Sequence, residues 1–311
     1  MSVKIYDTAE VQDFLVTVSG FDKEGGDERA KQILHRLLSS VYQLIDDFDV
    51  TPEEFWGAVH LFNEIGSAKQ GGLLAPGLGF DHYLDLRMDA EEAQAEVEGT
   101  TPRTIEGPLY VAGAPVSQGY TRMDDGSDMQ SEVMWLTGQV RDTEGKPVAG
   151  AQVEIWHADA QGNYSFFDPS QPEYHLRCTI IADDEGRYCA RSIIPSGYGV
   201  TEGSPTDQVL KLLGRHGQRP AHIHFFFSAP GYRHLTTQIN LAGDPYTYDD
   251  FAYATRDELV VEGRRIEDTK DIATRDLDGP FTEVVFDVVL PATQDPELQQ
   301  RHKRPRALEN A

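Results

Sequence analysis

Two periods divide this chain. From about Ala9 to Gln94 apolar residues recur at helical spacing, most clearly Ile33, Leu37, Leu38, Val41, Tyr42, Ile45 and Phe48, the stripe of a long amphipathic helix. A further helix is expected to start at Thr51-Pro52-Glu53-Glu54, where Thr51 caps, Pro52 fits the first helical position and Glu54 completes a capping box ahead of Phe55, Val59, Phe62 and Ile65. The stretch from Gly71 to Phe80 holds four glycines and a proline and reads as an apolar loop that something must cover, after which Asp81 to Gln94 resumes a helix. Beyond Thr101-Pro102 the period becomes two: Val140, then Val153, Ile155 and His157, then the segments around Cys178 and Cys189, then Phe281 to Leu290. Turn sequences at Asp142 to Gly145, Asp159 to Gly162 and Asp183 to Gly186 punctuate these strands at the spacing of a sandwich. The expected class is α+β, with a helical N-terminal region and linker over residues 1–105 and a mostly antiparallel β-sandwich over residues 106–311.

Charge narrows the partners. The 311 residues carry a formal net charge of −25, which argues against nucleic acid and against anionic membrane surfaces, since both select clustered Lys and Arg. The one basic cluster, Arg301 to Arg306, reads as a solvated tail. The N-terminus lacks the apolar core of a signal peptide, and no window approaches the roughly 18 apolar residues of a membrane span, so a cytoplasmic protein is expected. Cys178 and Cys189 flank the turn at Asp183 to Gly186 and are expected nearly opposite one another on a hairpin, as free thiols. The helical half carries an apolar stripe broader than one sheet edge can cover, which predicts a homodimer through the N-terminal helices.

The candidate chemistry lies in Arg219-Pro220-Ala221-His222-Ile223-His224-Phe225-Phe226-Phe227. Two imidazoles at period two on a strand leave the same face of its sheet and offer two nitrogens to one metal ion. No cysteine is near, and if the pair binds a metal the nearby candidates for further ligands are Tyr164, Tyr198, His216 and the acidic residues around Asp244. Spacing alone does not choose among them, because a tyrosine in a sandwich ordinarily packs and an arginine such as Arg219 ordinarily pairs with a carboxylate. A cupin-type oxygenase also uses His-x-His but needs a following Glu, and Phe225 to Pro230 supplies none. The glycines around Gly71 do not form a phosphate cradle, since no strand precedes them and no Lys-Ser or Lys-Thr follows. His35, His60, His82, His157, His175, His216, His234 and His302 lack the ligand context and are read as core or surface residues.

Longer runs carry a resemblance. Glu154-Ile155-Trp156-His157-Ala158-Asp159 with Gly162-Asn163-Tyr164, Pro195-Ser196-Gly197-Tyr198-Gly199, the Arg219 to His224 run, Gln238, and Gly243 to Phe251 together resemble the intradiol ring-cleaving dioxygenases. The resemblance continues through the helical region to Thr101-Pro102-Arg103-Thr104-Ile105-Glu106-Gly107-Pro108 and so covers nearly the whole chain. It implies a catalytic sandwich holding one non-haem Fe(III) per subunit through Tyr164, Tyr198, His222 and His224. The implied reaction is cleavage of catechol by dioxygen to cis,cis-muconate in aromatic catabolism, with Tyr198 as ligand and base and Arg219 and Gln238 beside the ligands. The implied pocket wall is Leu73, Pro76, Ile105, Pro108, Leu109, Phe251 and Ala252. Val200 departs from the pattern, since members often carry a cysteine there, and its bulk is expected to slow bulky substituted catechols. Chlorocatechol and hydroxyquinol are alternative substrates, and a non-catalytic transthyretin-like binding protein is the alternative of another class. The resemblance also admits a lipid between the helices of a dimer.

Overall fold

A computed structural model describes residues 3–94, 98–126, 131–165 and 168–292. The basic cluster and His302 lie outside the described residues. The chain divides into two compact units, Met1–Ala68 and Lys69–Ala311.

The first unit is helical: α1 (Ala9–Val18), α2 (Glu28–Phe48) and α3 (Pro52–Ser67). Each begins where a side chain can satisfy an orphan amide, Thr8 for α1 and Asp27 for α2. The expected capping box opens α3, with the Glu54 amide donating to Thr51 Oγ1 and the Thr51 amide donating to Glu54 Oε2. Asp49 closes α2 in the left-handed region at φ +53°. The apolar stripe is present, yet within this unit much of it faces outward: Leu37 is 57 % exposed, Trp56 58 % and Phe62 68 %.

The second unit starts with α4 (Gly71–Gly77) and α5 (Phe80–Gln94). The loop expected over Gly71 to Phe80 is therefore mostly a short helix. Glycine and proline disfavour a helix here, but burial of Leu74 and Pro76 outweighs propensity over so few residues. Gly77 lets the helix lie against the Phe251 ring, which an added Cβ would meet at 3.1 Å.

Next come β1 (Val116–Gln118), β2 (Tyr120–Arg122), β3 (Val133–Asp142), β4 (Gln152–His157), β5 (Arg177–Ile181), β6 (Arg187–Ile193) and β7 (Tyr198–Gly199). They are followed by α6 (Pro205–Leu212), β8 (Gln218–Arg219), β9 (His222–Ser228), β10 (Leu235–Leu241), β11 (Val260–Val261), β12 (Arg264–Ile266), α7 (Thr269–Thr274), β13 (Phe281–Val285) and β14 (Val288–Leu290). One sheet runs β1-β5-β4-β9-β10-β11 and the other β12-β13-β3-β6-β2, with β14 on β3. The long ladders, β3 with β6 and β9 with β4 and β10, are antiparallel, whereas β1, β2, β11, β13 and β14 join in parallel, so both sheets are mixed.

The core fills the space between the sheets with Val153, Ile155, Phe225, Phe227 and Ile239 from one and Met134, Leu136, Tyr188, Ala190 and Val284 from the other. The hairpin expected between the cysteines is a crossover. Asp183 does form the turn, its amide bonding Arg187 O and its carboxylate accepting from Glu185 and Arg187, but β5 and β6 then part into different sheets. Cys178 consequently pairs across from Ile155, and Cys189 across from Thr137 and Tyr120.

Alternation along β9 decides where the chemistry goes. Ile223, Phe225 and Phe227 enter the core, so His222, His224 and Phe226 leave the opposite face, and that face is also covered. Its cover is the segment between α5 and β1: the Thr104 amide bonds Thr236 O, Thr104 Oγ1 bonds Ala254 O, and Arg177 Nη1 bonds Leu109 O. A charged network anchors the segment to α5, with Arg103 on Asp89 (2.9 Å) and Glu92, Arg233 on Glu92, and Arg256 on Asp89 (2.8 Å).

Candidate metal centre

Register assembles the site. His224 lies between Trp156 on β4 and Gln238 on β10, and His222 lies opposite Asn240. The Trp156 and His224 rings stack at 4.9 Å with planes 6° apart, which fixes the imidazole's orientation. The two Nε2 atoms are 3.1 Å apart. His222 Nδ1 donates to Pro220 O at 2.6 Å, which puts the ring's lone pair on Nε2.

Two tyrosine segments converge on this pair. Tyr164 follows a turn that Asp159 organises: its Oδ1 accepts from the Gln161 and Asn163 amides and its carbonyl from the Gly162 and Ser196 amides. The last bond ties this turn to the segment leading into Tyr198. Gly162, at φ +84°, has room only for hydrogen, since a Cβ would lie 2.8 Å from Gly197 O and 2.9 Å from Tyr198 Cβ. The short ladder of β7 and β8 sets Tyr198 across from Arg219. The two phenol rings meet edge to face at 5.5 Å, and Tyr198 lies 5.5 Å from the His222 ring.

Burial and the Arg219 charge keep the imidazoles available as ligands. Burial, then the Arg219 charge, pushes His222 down to about 3, and burial, then His222 and Arg219, lowers His224 well below the usual histidine range. Both imidazoles are therefore neutral and able to ligate at physiological pH. Burial, followed by Tyr198, raises the Tyr164 phenol well above its ordinary value, and its hydroxyl is buried without a hydrogen-bond partner among the described residues. Only a strong positive charge nearby would make that oxygen an anion.

The residues fit a metal ion. Nε2 atoms 3.1 Å apart match two nitrogens sharing one ion at about 2.0–2.1 Å, and the orphaned phenol supplies a hard oxygen donor. Among the described residues no group of three or more His, Cys, Asp and Glu could hold an ion.

Arg219 backs the cluster. Its Nη1 is 3.0 Å from His222 Nε2 and 3.5 Å from Tyr198 Oη, its Nη2 donates to Gln238 Oε1 at 2.8 Å, and Asp250 pairs with it at 3.0 Å. Burial lowers the guanidinium, but the Asp250 charge, Tyr198 and the hydrogen bonds to both together outweigh it and raise the group. The expected wall residues fall in two groups. Ile105, Phe251 and Ala252 cluster with Leu210 and Val200, while Leu109 packs with Trp156, Tyr164 and Tyr198. Pro76 is buried on α4, and Leu73 and Pro108 are half-buried.

His216 stands apart from the two histidines, its Nε2 on Asp249 at 2.9 Å and its Nδ1 accepting from the Gln218 amide. His157 is a buried core residue bonded to Ser192 Oγ and Ala158 O. Two residues escaped the reading of individual side chains. They are Trp156 and Asp250, which the resemblance carried only inside longer runs, since the partners of both lie on other strands.

Fold and site together define a class: a two-sheet sandwich whose covered outer face gathers two neutral imidazoles and two phenols about a buried arginine. The chain belongs to the intradiol ring-cleaving dioxygenase family. The family model described as Dioxygenase matches residues 105–292, and that described as Catechol dioxygenase N terminus matches residues 27–96. The chain is 65 % identical to a catechol 1,2-dioxygenase of Pseudomonas sp. (strain EST1001), over 97 % of this chain and 100 % of the relative. Among solved structures it resembles the catechol 1,2-dioxygenase of Acinetobacter sp. ADP1 inhibited by bound mercury, with a TM-score of 0.95, 55 % identity, and 98 % and 99 % of the two chains covered. The Pseudomonas arvilla C-1 catechol 1,2-dioxygenase superposes with a TM-score of 0.93 at 55 % identity, covering 99 % of this chain and all of that one.

Proposed function

We propose that this protein is an enzyme that cleaves catechol with dioxygen to cis,cis-muconate, at one non-haem ferric ion per subunit held by Tyr164, Tyr198, His222 and His224. The observation that carries the reading is the buried pair of neutral imidazoles, 3.1 Å apart, beside Tyr198, whose ring meets a second phenol, Tyr164, with a hydroxyl that has no partner among the described residues. Such an unsatisfied buried hydroxyl costs stability and is kept for a purpose. When bound, the ferric ion acts as a Lewis acid that favours deprotonated catechol and links it electronically to dioxygen.

The chain's own residues do the rest. Tyr198, less buried than Tyr164 and flanked by Gly197 and Gly199, is placed for its Oη to take up a hydroxyl proton from the arriving diol. Arg219 cannot give up its proton, so Nη1 stabilises negative charge that develops beside Tyr198 and His222. Gln238 Oε1 accepts from Nη2 and so holds that side of the guanidinium. Leu73, Pro76, Ile105, Pro108, Leu109, Val200, Phe251 and Ala252 form an apolar wall suited to a flat ring and exclude water. Both atoms of dioxygen end in the product as the bond between the two hydroxylated carbons breaks.

The outward apolar face of α2 and α3 supports a homodimer through these helices, with room for a lipid against the same face. No helix among the described residues is long and apolar enough to cross a membrane. Cytoplasmic residence, which suits two free thiols, belongs to the same proposal.

The test is the visible spectrum of purified protein, recorded alone, with catechol under anaerobic conditions, and after oxygen is admitted. A broad phenolate-to-iron band that shifts with catechol and gives way to muconate absorbance is expected. A colourless protein that stays inert after ferric loading would overturn the reading in favour of a binding protein.

A further inference from the structure

We propose that Asp250 is the positioning residue that aims Arg219 at the reacting atoms and fixes the apolar wall in the same act. The inference rests on the role given above to Arg219. The Asp250 carboxylate accepts from Arg219 Nε at 3.1 Å and from Nη2 at 3.0 Å, a two-point contact that sets both the plane and the direction of the guanidinium. Gln238 Oε1 takes Nη2 from another side at 2.8 Å. Three of the five N–H bonds are thereby committed. The two that remain belong to Nη1, the nitrogen facing His222 Nε2 and Tyr198 Oη. A guanidinium held by Gln238 alone could pivot about that single bond and swing Nη1 away.

The same carboxylate accepts from the Ala252 amide at 3.0 Å and the Ala254 amide at 3.4 Å. Phe251 and Ala252, which cluster with Ile105 and Val200, are thus hung from the group that orients the charge. Among the described residues every hydrogen bond of the Asp250 carboxylate runs to Arg219 or to these two amides, so its hydrogen-bonded path to the reacting atoms passes through Arg219.

Asp250→Asn in the iron-loaded enzyme tests this. The amide keeps one acceptor oxygen but turns a donor toward Arg219, so the two-point contact is lost. Iron content and the phenolate band should match wild type, and the anaerobic affinity for catechol, read from the band shift, should stay within about threefold. Turnover should fall roughly 30- to 100-fold, the scale of a misplaced stabilising group. In an Arg219→Gln background the same substitution should cost less than about threefold more, because the two residues act as one unit. Asp250→Glu should recover part of the turnover; it also carries the test if the Asn variant does not fold, with a loss of about five- to tenfold expected.

Wild-type turnover in either variant overturns the proposal. So does an equal loss with and without Arg219, or a loss of catechol affinity as large as the loss of turnover. An iron-loaded wild type that shows neither band nor catechol cleavage fails the reading of the site, and the proposal with it. A coloured, active wild type whose variants keep their turnover fails the proposal alone.

Discussion

Replacing Tyr164 by Phe should raise the stability of the iron-free protein while abolishing what iron adds to it. Tyr164 is 3 % exposed, and its hydroxyl has no hydrogen-bond partner among the described residues. Burying a hydroxyl without a partner costs about 1–3 kcal/mol, and Phe removes that cost while keeping the ring against Leu109, Tyr110 and Trp156. At about 2–4 °C per kcal/mol for a unit of this size, the iron-stripped variant should melt a few degrees above iron-stripped wild type. Loading reverses the order. At a free-ion concentration about 1,000-fold above its dissociation constant, a bound metal adds roughly 4 kcal/mol, available only where the donor set is whole.

Calorimetry of both proteins, stripped and loaded, with iron content and the visible band measured on the same samples, reads all four corners of this cycle. A stripped variant that melts several degrees below stripped wild type would refute the reasoning, since it would make Tyr164 Oη a structural hydrogen-bonding group. Equal gains on loading would equally refute it, by removing Tyr164 from the donors.

Acid should destabilise the protein through His157, which burial holds neutral and pushes down to about 4. The unfolded chain takes up that proton near pH 6.5, so this stabilisation is complete above about pH 6.5 and is lost as pH falls toward 4, by about 2 kcal/mol between pH 7 and pH 5. Urea midpoints at the two pH values should lie closer together for His157→Gln than for wild type, and an unchanged gap contradicts the assignment. Val200 packs among Ile105, Leu210, Phe251 and Ala252, so ring-substituted catechols should turn over more slowly than catechol, and Val200→Ala should improve their relative kcat/KM by roughly tenfold, the worth of one or two methyl groups. Equal wild-type rates on catechol and 4-tert-butylcatechol would sink this. Light scattering should return twice the subunit mass, and Phe62→Asp should shift that mass toward the monomer; a monomeric wild type removes the dimer.

Local patterns made the helix starts and the period-two strands legible, because caps and alternation act over a few residues. The capping box at Thr51 is present as read. Alternation on β9 also determined that His222 and His224 leave one face, since side chains on a strand repeat every second residue regardless of the neighbours. The proposed ligand set was readable only by resemblance: nothing in the spacing of Tyr164 and Tyr198 says that a turn organised by Asp159 would bring them together.

Tertiary structure decided what rests on contacts distant in sequence. It made a helix of the glycine-rich Gly71–Gly77 by burying Leu74 and Pro76, and it sent Cys178 and Cys189 to different sheets through a turn that locally looks like a hairpin. It also clamped Arg219 between Gln238 and Asp250, 19 and 31 residues away. Local alternation was enough to set His222 and His224 on one face of β9. Which carboxylate would hold the arginine depended on how strands and loops from the whole sandwich meet, and no local period encodes that.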